Sequence, residues 1–351
     1  MQYFVLKSGF EILDVCRAYG LAQVLHALAR GTAAPVISDA GQGFVIEMDP
    51  PPASMDPSGS DEWQAVFSLN TWEHVFLTYK AKWTEQRDKV GVAFERRLKE
   101  LLDKDAGDLA VNFDGPCTLP GALEPGAFKG LKGLTARDYA EGPTSADELN
   151  WALACLGAVV AQRYRPQRVT GGKREFYVTL PVPEKVRFSD FHAVRQLVYD
   201  KEVSYHGVRG AVAHFSVLLA DAVRDKAAGN PHFPLRFSGV LYFSMFRSGN
   251  QYKPAIGGAF QTGKLIAMAL SGRSAVADVF KTWDYLFRRG ATTGAEDLAD
   301  AATELIMAPS LDSYFRHARV FLRYIVDSNK KVKSENLYTE QGLMEVMNYV
   351  V

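Results

Sequence analysis

Cysteine is scarce in this sequence, and the three that occur, Cys16, Cys117 and Cys155, are far apart. They form no C-x-x-C pair, which excludes the common redox and zinc motifs built on that spacing. Cys16 and Cys155 lie in apolar patterns of helical period, so we expect both to be small core residues. The odd cysteine count and the short, mixed N-terminal segment favour a reducing compartment, and we expect a cytoplasmic protein.

Long apolar runs are lacking as well. No stretch approaches the roughly 18 residues that a membrane-spanning helix needs. The most apolar stretch, Trp151 to Ala161, is about half as long and predicts a buried helix. We therefore expect no membrane partner.

Complete catalytic and metal-binding motifs are also missing. The seven histidines form no HxH, HExxH or HxxxH pattern, the spacings that bring two ligands to one metal ion. A serine-hydrolase elbow requires a GxSxG string, and none is present. The sequence therefore predicts a protein that binds rather than catalyses, with no cofactor. A phosphate-ester or nucleotide-acting enzyme with a dispersed site is the alternative.

One string comes close to a phosphate-binding loop. Gly258 to Lys264 reads GAFQTGK, which matches that loop through its lysine. The next position of the loop needs Ser or Thr to hold magnesium, and Leu265 cannot do so. The string therefore predicts a simple anion-binding turn, with Lys264 near a phosphate, rather than nucleotide hydrolysis.

Hydrophobic periodicity predicts an α+β fold with many helices, small scattered sheets and a helical C-terminal third. The expected organisation is a nucleic-acid-binding body over 1–290 and a helical region over 291–351 that contacts partners. Strands are predicted at 3–7, 43–48, 109–113, 174–182 and 237–246, and helices at 10–29, 61–104, 145–164, 189–201 and 207–227. Breaks near Gly272, Gly290, Pro309 and Asn329 divide the helical last third.

Three local signals refine this prediction. Ser145 and Glu148 have the spacing of a capping box, which predicts a helix start at Ser145. Pro181 and Pro183 are expected to end the strand that begins at Arg174. The glycines between residues 248 and 258 predict a loop there.

Charge is distributed unevenly although the net formal charge is zero. Residues 151–290 contain 20 basic and 9 acidic side chains, and the rest of the chain contains 20 basic and 31 acidic ones. Such asymmetry favours contact with a polyanion or with an acidic protein, the second case being a scaffold that contacts proteins alone. Alternatively, the fold mixes both segments on one surface and cancels the difference.

Two basic segments are candidate nucleic-acid contacts. In the first, arginine and lysine alternate with aromatic residues, a composition that suits phosphate contact and base stacking. In the second, a glycine-containing segment adds amide side chains that can read base edges. The candidate residues are Arg163, Arg165, Arg168, Lys173 and Arg174 in the first segment and Arg247, Asn250, Gln251, Tyr252 and Lys253 in the second. A solvated connector and a polar hairpin tip have the same compositions and are the alternatives.

The chain resembles the large subunits of type I CRISPR surveillance complexes (Cascade). The resemblance is carried by the opening Tyr3-Phe4-Val5-Leu6, the stretch Val15 to Ala22, the 174–182 strand and the turn Tyr205 to Gly210, followed by a helical last third. It covers about half of the chain in order and character.

The resemblance implies a non-catalytic subunit that binds guide RNA and target DNA beside other subunits. It implies that the Arg247–Lys253 segment contacts duplex DNA near a short flanking motif. It also implies that the Arg163–Arg174 segment and Lys264 contact RNA or the displaced strand, and that 291–351 meets neighbouring subunits. Cleavage in such systems belongs to a separate helicase-nuclease, because base pairing reads sequence while the protein reads shape and a short motif.

Overall fold

The computed structural model describes residues 1–29, 33–51, 93, 96–104, 106–123, 144–168, 174–228, 230–248, 251–292, 294–327 and 337–351. The side chains of 166–168, 174, 247–248, 251–254 and 327 lie outside that description. The chain divides into unit 1, residues 1–189 and 243–258, and unit 2, residues 190–242 and 259–351. The boundary predicted at residue 290 falls inside unit 2.

The fold is α+β, as the sequence predicts. The strands are β1 (Gln2–Leu6), β2 (Val36–Asp39), β3 (Gly43–Glu47), β4 (Ala106–Leu109), β5 (Cys117–Thr118), β6 (Ser145–Ala146), β7 (Arg163–Arg168), β8 (Arg174–Arg187), β9 (Leu235–Ser248) and β10 (Gln251–Gln261). The labelled helices are α1 (Glu11–Leu28), α2 (Glu148–Ala161), α3 (Phe188–Val198), α4 (Gly207–Ala227), α5 (Gly263–Leu270), α6 (Ala275–Gly290), α7 (Glu296–Met307), α8 (Leu311–Asp327) and α9 (Glu340–Val350). The helix predicted within 61–104 lies mostly outside the described residues. Within that range, residues 93 and 96–102 are described as helical.

Strands that are scattered along the sequence assemble into one mixed sheet. Its order is β10-β9-β8-β2-β3-β1-β4, with β7 also paired to β8, and β5 and β6 form a separate two-stranded sheet. β1 pairs with β3 in antiparallel fashion and with β4 in parallel fashion. A parallel pair needs a long connection, which the chain between β1 and β4 supplies.

Strand β8 continues past the two prolines that were expected to end it. Its antiparallel pairing with β7 covers Arg174 to Thr179, and its pairing with β2 begins at Lys185. Pro181 and Pro183 lie in the gap between these two ladders. Neither ladder therefore requires the backbone N–H that proline lacks, and the strand is not interrupted.

Helices α1 and α2 form the core of unit 1 and approach each other at two glycines. A Cβ added to Gly20 would lie 1.9 Å from the Leu153 carbonyl oxygen, and one added to Gly157 would lie 1.7 Å from the Cys16 carbonyl oxygen. Glycine permits this separation because it has no side chain. Gly20 is therefore a packing residue inside the continuous helix α1.

The N-cap of helix α2 lies two residues after Ser145, the position that the capping box predicts. Ser145 lies in β6, and the N-cap is Asp147, whose side chain accepts a hydrogen bond from the Asn150 backbone N–H at 3.1 Å. Its last residue is Ala161, not Tyr164. The Asp147 carboxylate also accepts a hydrogen bond from the Asn112 N–H at 3.0 Å, which favours Asp147 as the N-cap. A local sequence window does not show this contact.

A buried ion pair joins four segments of unit 1. The Arg17 guanidinium donates to Asp14 Oδ1 at 2.9 Å and to Asn150 Oδ1 at 2.7 Å. It also donates to the carbonyl oxygens of Leu6, at the end of β1, and Leu109, at the end of β4. Arg17 therefore holds α1, α2 and two strand ends together. Burying these charges is tolerable because each is paired and hydrogen-bonded.

All three cysteines lie in the interior. Cys16 and Cys155 are buried, as predicted, and so is Cys117. No helix within the described ranges combines the length and apolarity needed to cross a membrane. Four helices of unit 2 end at a predicted break or two residues before one, at Leu270, Gly290, Met307 and Asp327.

Candidate nucleic-acid interface

The first basic segment forms a β-hairpin, here called the first hairpin (β7 and β8). Its chain leaves the core directly: α2 ends at Ala161, and Gln162 connects it to β7. The Gln162 amide donates to the Ala122 carbonyl oxygen at 3.0 Å, which fixes the point where the hairpin begins. The position of the hairpin therefore depends on the packing of α2.

Aromatic residues stabilise one face of this hairpin. Tyr164 lies opposite Val178 in the ladder and two residues before Pro166, the partner of Phe176. The rings of Tyr164 and Phe176 are 4.9 Å apart at an interplanar angle of 50°. Tyr164 is partly exposed and Phe176 is buried, so the aromatic pair packs the hairpin.

Arg163 is a structural residue in this hairpin. Its exposure is 3%, and its guanidinium donates to the Tyr177 hydroxyl at 3.3 Å. A buried guanidinium cannot reach a nucleic-acid backbone without unfolding the strand. We therefore leave Arg163 out of the proposed contact set, although the sequence placed it with its neighbours.

The outer part of the first hairpin carries the other arginines. Arg165 is partly exposed and lies opposite Tyr177, and Arg168 lies opposite Arg174 in the register. Lys173 lies outside the described residues.

The second basic segment is also a hairpin, here called the second hairpin (β9 and β10). The Gly-rich loop expected over 248–258 is wrong, because β10 already begins at Gln251. Arg247 lies in β9, Gln251, Tyr252 and Lys253 lie in β10, and Asn250 lies outside the described residues. Pairing between β9 and β10 provides hydrogen-bond partners for the backbone of this segment, and glycine content alone does not predict that pairing.

The two hairpins are neighbours. β8 of the first and β9 of the second are adjacent in the sheet, and residues 163–187 and 243–258 belong to unit 1. Two segments that are far apart in sequence thus lie on adjacent strands of one sheet. This adjacency is the observation that bears most on function, because each segment by itself has the composition of an ordinary polar hairpin.

Lys264 has a different setting. Gly258 and Gln261 lie in β10, and α5 begins at Gly263, so Thr262 alone separates strand and helix. A phosphate-cradling loop needs several free backbone N–H groups between the two elements. Lys264 is exposed, and its ammonium donates to the Tyr349 carbonyl oxygen at 3.4 Å. It belongs to unit 2.

A histidine–aspartate pair in unit 2 escaped the sequence patterns. His214 Nε2 lies 2.7 Å from Asp284 Oδ1, and Arg288 Nε donates to the same carboxylate at 2.9 Å. The backbone N–H of Ser204 donates to His214 Nδ1 at 3.0 Å. Nδ1 is therefore an acceptor and Nε2 carries the proton. The 70-residue separation of the pair left no local signal.

This pair resembles half of a catalytic triad, but its bonding argues for a structural role. A general base needs one ring nitrogen that faces a substrate, and both nitrogens of His214 are engaged within the fold. The imidazole is also stacked on Phe287 with ring centroids 4.8 Å apart. Burial lowers the pKa of His214, so the neutral ring is favoured.

A second buried histidine gives a pH prediction. His317 lies against Phe321 and the Tyr338 hydroxyl, and burial lowers its pKa from 6.5 to about 4. The unfolded chain therefore binds a proton that the folded chain excludes. His317 stabilises the fold above pH 6.5, and on the order of 3 kcal/mol of unfolding free energy is lost as the pH falls to about 4.

The measurement is urea unfolding at several values between pH 4 and pH 8. We expect the His317→Gln variant to lose stability less steeply with acid than the unmodified chain. His232→Gln is the matched control, because His232 is exposed. Parallel pH profiles for the unmodified chain and the His317→Gln variant would show that His317 does not titrate in this way.

Metal ligands do not cluster in the described part of the chain. No group of three or more His, Cys, Asp or Glu side chains there could hold an ion together.

Comparison with known proteins gives little functional information. No family model matches the chain. An uncharacterized protein from Archaeoglobus fulgidus is 28% identical over 363 aligned residues, which cover 99% of this chain and 98% of that protein. The similarity extends from end to end, so both units have counterparts there.

Proposed function

We propose that this chain is a non-catalytic nucleic-acid-binding subunit of an RNA-guided DNA-targeting complex, with the two hairpins as its contact surface. The single observation that supports nucleic-acid binding most strongly is the adjacency of β8 and β9, which joins both basic segments. The assembly itself is suggested by the sequence resemblance to Cascade large subunits. In that assembly, guide RNA and target DNA are the ligands.

The chemistry of the surface suits binding of a flexible nucleic-acid backbone rather than recognition of one particular base. Arginine binds phosphate oxygens through two parallel hydrogen bonds, and aromatic rings stack on unpaired bases. In this proposal, phosphate is bound by Arg165, Arg168 and Arg174. The candidates for base stacking are Tyr164 and Tyr252. Affinity should therefore fall steeply with salt, because each phosphate contact releases counterions.

The test is binding of a fluorescein-labelled single-stranded RNA measured by anisotropy at several salt concentrations. We expect the Arg165→Glu, Arg168→Glu double variant to bind roughly tenfold or more weakly, and its salt slope to fall by about 1.4 for two lost contacts. The matched control is Lys226→Glu, Lys281→Glu, which changes net charge equally at two exposed positions outside the hairpins. Equal losses in the two double variants would mean that charge alone, and not the hairpin, determines affinity.

Purification from the native host tests the assembly. We expect co-purified proteins and a uniform population of short RNAs that share one end. A clean chain without RNA or partners, together with unchanged RNA affinity in the hairpin variant, would contradict the proposal and favour a protein-only scaffold or an enzyme.

A further inference from the structure

Helix α8 of unit 2 has a well-defined inner face. Its start is capped reciprocally: the Ser310 N–H donates to Ser313 Oγ at 2.9 Å, and the Ser313 N–H donates to Ser310 Oγ at 3.1 Å. Ser313, His317 and Phe321 are buried at intervals of four residues. This face anchors the helix, so its other apolar residues are not needed for the local core.

The opposite side of α8 carries a second apolar row, here called the Leu322 stripe. Leu311, Phe315, Leu322 and Val326 are 52%, 58%, 60% and 76% exposed. Ala318 lies in the same row. The positions 311, 315, 318 and 322 therefore follow one another at spacings of four, three and four residues. Exposed apolar residues in soluble proteins are normally scattered singly. A row with the heptad spacing of a helix–helix seam indicates a helical partner.

The flank of the stripe is basic. Arg319 and Arg323 are exposed on one side of it, and within the described part of the chain neither forms an ion pair. Their spacing of four residues places like charges side by side, which destabilises an isolated helix. Arg316, by contrast, is paired with Glu304 of α7. The uncompensated pair is therefore best explained by an acidic partner.

A second copy of the chain fits this face poorly. Antiparallel pairing of two stripes about a two-fold axis near the middle of the helix would place Arg319 against its own copy. That arrangement adds like-charge repulsion at the rim of the seam, where charges select partners.

We propose that the Leu322 stripe docks an amphipathic α-helix of a partner protein, with apolar residues at heptad spacing and Asp or Glu on its flanks. The stripe runs for about 24 Å, enough for roughly two heptads. The inference rests on the assembly part of the proposed function and is independent of nucleic-acid binding. Arg319 and Arg323 would select the acidic helix, while the apolar row supplies most of the affinity.

The probe is a fluorescein-labelled 21-residue helical peptide with leucine at both seam positions and glutamate at the flanking positions. A second peptide carries lysine at those flanking positions. We expect the full chain, free of nucleic acid, to bind the glutamate peptide and to discriminate against the lysine peptide by roughly tenfold. Binding is measured by anisotropy.

Variants assign the contact to the stripe. Phe315→Asp with Leu322→Asp should abolish binding, and Arg319→Glu with Arg323→Glu should reverse the preference toward the lysine peptide. Leu197→Asp on α3 is the matched control, since Leu197 is also an exposed leucine of unit 2. RNA affinity of the Phe315→Asp, Leu322→Asp variant should stay unchanged, which separates this inference from the hairpin proposal.

Each other outcome overturns the inference. If both peptides bind equally well, or if neither peptide binds, an acidic helix is not the partner that occupies the stripe. Self-association in sedimentation that Leu322→Asp abolishes would assign the stripe to a second copy. Binding to phosphatidylserine vesicles in place of the peptide would assign it to a membrane surface.

Discussion

Replacing Arg17 with methionine is expected to lower the free energy of unfolding of unit 1 by about 3–5 kcal/mol. The substitution keeps the apolar volume but removes the charge that balances buried Asp14. Asp14 would retain the hydrogen bonds from the Ser8 N–H and hydroxyl, at 2.8 and 2.7 Å. The carbonyl oxygens of Leu6 and Leu109 would lose their guanidinium donor, and a buried acceptor without a donor is costly.

The measurement is hydrogen exchange of peptides from 1–29 and 144–168, compared with peptides from 259–292 in unit 2. Faster exchange confined to unit 1 is the expected result. Lys7→Met is the matched control, because the Lys7–Asp39 ion pair, at 2.9 Å, is partly exposed and worth at most about 1 kcal/mol. Arg17→Met with Asp14→Leu should recover part of the loss. Equal effects of Arg17→Met and Lys7→Met would mean that the buried network contributes no more than a surface pair.

Replacing Gly157 with alanine is the second change with a large expected effect. The new methyl group would lie 1.7 Å from the Cys16 carbonyl oxygen, and a backbone atom cannot move aside as a flexible side chain can. Alanine improves helix propensity by about 1 kcal/mol, but overpacking costs about 1–3 kcal/mol or more. We expect net destabilisation, because α1 and α2 must separate to accommodate the methyl group.

Urea unfolding checks this expectation, and the RNA assay adds a functional measurement. Since α2 continues through Gln162 into β7, a displaced α2 should also weaken RNA binding at protein concentrations and temperatures where the variant is still folded. Gly263→Ala is the control, because no atom lies within 4 Å of its added Cβ. A Gly157→Ala variant as stable as the Gly263→Ala variant would show that the close approach of the helices is relaxed in solution.

The two results bear on function as well as stability. Arg17 and Gly157 contact no proposed ligand, yet both determine where the first hairpin leaves the core. A loss of RNA binding in either variant therefore reports on the position of the hairpin. The Arg165→Glu, Arg168→Glu variant instead changes the contact surface itself. Comparing them separates a positioning effect from a contact effect.

Part of the candidate site could be predicted from sequence. The composition of both basic segments is local information, and it identified the arginines of each hairpin. The strand state of 251–261 was not predicted, because glycine content suggested a loop and the pairing with β9 outweighs that preference. The structural role of Arg163 was missed for a related reason: its partner Tyr177 is 14 residues away, across the hairpin.

The sequence by itself determined the α+β class, the helix limits in unit 2 and the buried state of Cys16 and Cys155, because periodicity, glycine and proline act over a few residues. The tertiary structure decided the sheet order, the adjacency of the two hairpins, the His214–Asp284 pair and the exposure of the Leu322 stripe. These features depend on contacts between residues distant in sequence. Whether an apolar row faces the core or the solvent is decided by which neighbouring helices pack against it, and no local pattern contains that information.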